Sequence, residues 1–183
     1  MAVDVDWQDR DGKTAVYQAA ARGLFGVALA LLEHNADPNI ATAVNGITPL
    51  YAAAQFGHVD AVTLLLTKKA DPNRARTDTG STPLSMAAEK GHGGVVKVLL
   101  EHGADPNRSR TDTGTAPVWI AARCGHAGVV MALLAHNADP NQARADENGS
   151  TPLWMAAYNG DCAMVRLLLG CKADPNMAGR NPP

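Results

Sequence analysis

Six histidines, three cysteines and a ladder of arginines and aspartates carry the reactive or ligating groups of this chain. His58, His92 and His126 each follow a glycine at steps of 34 residues, and His102 and His136 share that step. Neighbouring helix layers lie roughly 8–10 Å apart, whereas zinc ligands converge at about 2 Å from one ion. Histidines so spaced cannot share a metal, which leaves them structural roles in turns and at helix ends. Cys124 and His126 come nearest to a nucleophile–base pair. They flank a helix-ending glycine, and no orienting partner or oxyanion hole accompanies them. Cys162 and Cys171, nine apart, read as core or surface thiols. G-x-S-x-G, a Walker loop, His-Glu-x-x-His and Cys-x-x-Cys are all absent from the sequence. The expectation is no catalysis and no cofactor.

The elements that hold these residues recur. Gly12, Gly46, Gly80, Gly114 and Gly149 open successive units, at steps of 34, 34, 34 and 35 residues. Asp-Pro-Asn closes each unit at 37–39, 71–73, 105–107, 139–141 and 174–176, with the same steps. Thr48-Pro49, Thr82-Pro83 and Thr151-Pro152 read as helix starts. Threonine offers an oxygen to the free donors of a first turn, and proline at the first helical position has no donor to lose. A short helix over 50–56 ends at Gly57, and small Ala53 and Ala54 admit a close neighbour. A second helix starts near Val59, with Val62, Leu65 and Leu66 at helical spacing. Ala70-Asp71-Pro72-Asn73 then turns the chain outward. No such unit buries its apolar stripe alone, so stacking is required.

The pattern G-x-TPL-x-x-AA-x-x-GH-x-x-V-x-x-LL-x-x-GADPN resembles the ankyrin repeat. Five units cover almost the whole chain, at 12–45, 46–79, 80–113, 114–148 and 149–176. The resemblance implies an all-α solenoid of stacked helix-turn-helix units with projecting hairpin-like loops. It also implies a scaffold that binds a partner protein or peptide through a concave groove and loop tips. The alternatives are a targeting or adaptor segment of a larger enzyme or channel, and a stand-alone inhibitor of a partner enzyme.

Several features depart from the family pattern. In unit one Ala15-Val16 stands for Pro-Leu and Leu24 for the histidine; residues 1–11, with Val3, Val5 and Trp7 alternating, form a candidate cap. In unit four Ala116 replaces the capping threonine, so this unit is expected to fray most easily. Val165, Leu167, Leu168 and Leu169 of unit five resemble an internal repeat, so either the natural chain continues past the 177–183 tail or something covers this end. The span from the first Asp of Asp-Pro-Asn to the next opening Gly is nine residues three times and ten before Gly149, where eight is usual, so the loops are long.

The position after Thr-Pro-Leu reads Tyr17, Tyr51, Ser85, Trp119 and Trp154. In ankyrin domains this first helix lines the concave side, so the rings either pack between neighbouring repeats, line the groove as an aromatic strip, or do both with one edge exposed. Ahead of the glycine turn the chain reads Ala21-Arg22, Gln55-Phe56, Glu89-Lys90, Arg123-Cys124 and Tyr158-Asn159. The resemblance turns these varied pairs toward the groove, where an apolar Phe56 needs a cover. Arg76, Arg110 and Arg144 recur at 34, as do Asp78, Asp112 and Asp146, with Arg74 and Arg108 beside them. Their simplest arrangement is cross-pairing between adjacent loops; surplus arginine would instead suit an acidic partner. The turn asparagines Asn39, Asn73, Asn107, Asn141 and Asn176 match a position hydroxylated in some animal ankyrin proteins, although a role in the turn explains them. The expected contact surface is Tyr51, Gln55, Phe56, Glu89, Lys90, Trp119, Arg123, Trp154 and Tyr158, with Arg76, Arg110 and Arg144 on the loops.

Composition sets the outer bounds. A net charge of −2 and a pI near 6.3 argue against nucleic acid as partner. The start of the chain is neither basic nor apolar, so it does not read as a signal peptide. No apolar run is long enough to span a bilayer. Three cysteines without paired spacing suit a reduced cytoplasmic or nuclear setting. The chain is expected to act as a monomer.

Overall fold

The computed structural model describes residues 4–145 and 149–177, and among these the chain forms ten helices and no strand. They are α1 (Ala15–Ala21), α2 (Phe25–Glu33), α3 (Pro49–Phe56), α4 (Val59–Thr67), α5 (Pro83–Lys90), α6 (Gly93–Glu101), α7 (Pro117–Arg123), α8 (Ala127–Ala135), α9 (Pro152–Tyr158) and α10 (Cys162–Gly170). Thr48, Thr82 and Thr151 each accept from the backbone N–H three residues on at 3.1 Å, and Thr14 does so at 3.2 Å. These caps satisfy donors that a helix cannot satisfy itself. Ala116 has no such oxygen, so α7 starts uncapped. Hydrogen exchange is expected to be faster in α7 than in α5, and Ala116→Thr is expected to add about 1 kcal/mol. Better protection of α7 than of α5 would contradict this.

The odd-numbered helices form one layer and the even-numbered helices a second. Ala53, Ala54, Ala87, Ala88, Ala121 and Ala122 are fully buried in the first layer. With alanine at these positions, those helices meet more closely than the second-layer helices do. The stack therefore closes on the odd-helix side, which is the concave one. Between the layers Leu65, Leu99 and Leu133 repeat at one position, each fully buried, and Val62, Val96 and Val130 repeat at another.

Register between units is held by three polar devices. The first is the turn asparagine, whose side chain reaches the backbone of the next unit. Asn73 Oδ1 accepts from Asp105 N–H at 2.8 Å while its Nδ2 donates to Gly103 O at 3.0 Å. Asn39 and Asn107 repeat both bonds, and Asn141 Oδ1 accepts from Asp174 N–H. At about 0.5–1.5 kcal/mol per hydrogen bond, these staples matter to a seam with no covalent link. The second is the histidine after each glycine turn. Nε2 of His58, His92 and His126 sits 3.2, 3.1 and 3.1 Å from the carbonyl oxygens of Ala21, Gln55 and Glu89 on the preceding unit. Unit five carries Asp161 at that position, and there Asn159 Nδ2 donates to Arg123 O at 2.9 Å instead. The third is a backbone rung between successive loops, such as Thr77 N–H to Asn45 O at 3.1 Å and Thr111 N–H to Thr79 O at 2.9 Å.

The segment before the first unit repeats the staple. Asp6 N–H donates to Asp4 Oδ1 at 3.1 Å, as Asn39 N–H does to Asp37 Oδ1 at 2.8 Å, and Asp6 Oδ1 accepts from Asp37 N–H at 3.0 Å. Asp4-Val5-Asp6 is thus folded like an Asp-Pro-Asn turn. Val5 packs half-buried against the core, while Trp7 is 67% exposed. Val3 lies outside the described residues, as do Asp146 and 178–183. In α10 Leu168 is buried, Val165 and Leu167 are half-buried, and Leu169 is exposed. No helix among the described residues is long and apolar enough to cross a membrane.

Candidate partner-binding surface

The concave layer separates the expected contact residues by depth. Tyr51 and Trp119 are 1% and 2% exposed, so both pack between repeats and neither lies on the contact surface expected of it. Each uses its polar atom inside the seam with the following unit. Tyr51 Oη donates to Ser81 Oγ at 3.3 Å, and Trp119 Nε1 donates to Ser150 Oγ at 3.2 Å. Ser85, at the same register position in unit three, is buried as well and bonds Ser81 Oγ at 3.0 Å. Tyr17 and Trp154 are half-buried. The sequence reveals that these residues form a row; their depth depends on how closely alanine lets the helices approach.

Above that floor lies the varied pair at the end of each odd helix. Phe56 is 55% exposed, Tyr158 is 74% exposed, and Lys90 and Arg123 are exposed. Gln55 and Glu89 are half-buried. Tyr158 stacks on Trp154, with ring centroids 5.2 Å apart and planes 13° from parallel. Arg76 lies over the Tyr51 ring at 5.8 Å, while Arg123 and Arg144 lie over Trp119 at 5.5 and 5.6 Å. Buried rings therefore hold the arginines in place from below.

The loop charges pair within their own loop, not between loops as expected. Arg76 Nε donates to Asp78 Oδ1 at 2.9 Å, and Arg110 Nε donates to Asp112 Oδ1 at 3.0 Å. Two residues apart on one hairpin, each pair forms a fork without needing its neighbour. The guanidinium holds each carboxyl below the usual aspartate range, and the carboxylate raises its arginine further. Arg110 also reaches Glu89 Oε2 at 3.4 Å, tying loop to helix. In the first loop Thr42 and Val44 occupy the equivalent positions, and Val44 is 85% exposed. Sequence reasoning passed over Val44; its offset from Gly46, the same as that of Asp78 from Gly80, was the available signal.

Among the described residues no three of His, Cys, Asp and Glu gather as a metal set. The His126 ring is engaged at Glu89 O, and Cys162 and Cys171 are exposed free thiols. The exposed positions on this layer carry cations at Lys90 and Arg123 and aromatic rings at Phe56 and Tyr158.

Residues 27–110 and 107–178 match the family model described as ankyrin repeats (3 copies). A search of curated proteins returns no match.

Proposed function

This chain belongs to the ankyrin-repeat family, and from that premise we propose that it grips a partner protein or peptide on its concave face and loop tips. Members of the family are generally protein–protein interaction modules and typically non-catalytic. One observation carries the reading for this chain: unlike side chains stand exposed at the same position of a buried framework. Phe56 is 55% exposed one turn after the fully buried Ala52, Ala53 and Ala54. A surface fixed from beneath loses little conformational entropy on binding. Three free thiols suit a reducing compartment, cytoplasm or nucleus.

Affinity capture from the source lysate tests this, with wild type beside a Phe56→Ala, Tyr158→Ala double variant. Both rings are exposed, so the variant is expected to keep its circular dichroism and its melting midpoint. It is expected to lose a protein that the wild type retains. Identical captured sets would move the contact surface elsewhere.

A further inference from the structure

We infer that the concave face receives an extended, acidic segment whose one apolar side chain lies on Phe56 between two carboxylates; this rests on the groove reading above. The position just before each glycine turn reads Arg22, Phe56, Lys90 in consecutive units. All three are exposed, so the row runs cation, ring, cation. The Arg22 guanidinium has no partner among the described residues. Lys90 Nζ stands 3.9 Å from Glu89 Oε1, and that carboxylate is shared with Arg110. Arg76 and Arg110, by contrast, are answered by Asp78 and Asp112 in their own loops. The unanswered charge of this side is therefore positive, although the whole chain is net −2. That local surplus selects carboxylates and turns away basic segments.

Spacing sets the rest. Units stack roughly 8–10 Å apart, and an extended chain advances about 3.3 Å per residue. Three partner residues therefore match one unit. A carboxylate on Arg22, an apolar side chain on Phe56 and a carboxylate on Lys90 require the order acid, two of any kind, apolar, two of any kind, acid, in either chain direction.

The test is selection from a random peptide library displayed on phage, against the intact protein and against an Arg22→Glu, Lys90→Glu variant. Both substitutions fall at exposed positions, and circular dichroism verifies the fold. Wild type is expected to enrich the acid–apolar–acid spacing, and the variant to exchange the acids for Lys or Arg at the same places. A wild-type peptide is expected to lose about tenfold in affinity on the variant, and to weaken with added salt. Enriched peptides that need Phe56 and Tyr158 but lack flanking acids would overturn this inference and leave the groove reading standing. Peptides that bind the Phe56→Ala, Tyr158→Ala variant as tightly as wild type would overturn both. No enrichment above an unrelated helical protein would also count against the inference.

Discussion

Trp119→Ala is expected to lower the unfolding free energy by about 3–5 kcal/mol, the range for truncating a large buried ring. Trp119 is 2% exposed, and its indole N–H is bonded to Ser150 Oγ at 3.2 Å across the seam to the fifth unit. Truncation empties the seam, leaves Ser150 Oγ without its indole donor and removes the ring beneath Arg123 and Arg144. For a chain of this length such a loss corresponds to a melting shift of roughly 6–20 °C. Tyr158→Ala supplies the contrast, because a 74% exposed ring should cost little stability. Chemical denaturation of both variants decides the matter. A Trp119→Ala loss no larger than that of Tyr158→Ala would return Trp119 to the surface and undo the depth assignment.

Gly91→Ala is expected to cost about 2–4 kcal/mol, against about 1–2 kcal/mol for Gly125→Ala. Both glycines end an odd helix in the left-handed region, at φ of +73° in each case, so the backbone strain is common to both. The surroundings differ. A Cβ on Gly91 would stand 2.7 Å from His126 Cε1, and the displaced ring would release Glu89 O. A Cβ on Gly125 meets nothing within 4 Å, because unit five has Asp161 where units two to four have histidine. The difference between the two variants therefore isolates the histidine clamp. Equal losses would mean that the ring carries none of the seam energy.

Much of this architecture was legible because each local signal names its own partner. Thr-Pro specifies a capped first turn, Gly57 a left-handed stop, and the Asp-Pro-Asn recurrence the step of the stack. The sequence marks the asparagines as turn residues, yet their side chains bond to backbone some thirty residues on, such as Gly103 O for Asn73. Nothing local reveals such a bond; only the repeat period does. The same holds for Asp4-Val5-Asp6, which imitates Asp-Pro-Asn without its proline or asparagine. Arg76 and Asp78 were expected to pair across loops, but a two-residue separation on one hairpin lets both ends of the fork close locally. The varied pairs at the ends of the odd helices were legible as surface, and Phe56 is exposed there. The depth of Tyr51 and Trp119 is not legible, because an aromatic register has the same period whether its rings face solvent or a neighbour.

The claim on which the account depends is that the odd-helix side is the occupied one. A photoreactive phenylalanine analogue placed at residue 56, and separately at residue 131 on α8, tests it directly in source lysate. Met131 is 59% exposed, close to the 55% of Phe56, but belongs to the other layer. The account predicts a light-dependent adduct from residue 56 and none from residue 131. An adduct from residue 131 alone would place the partner on the opposite face and contradict it.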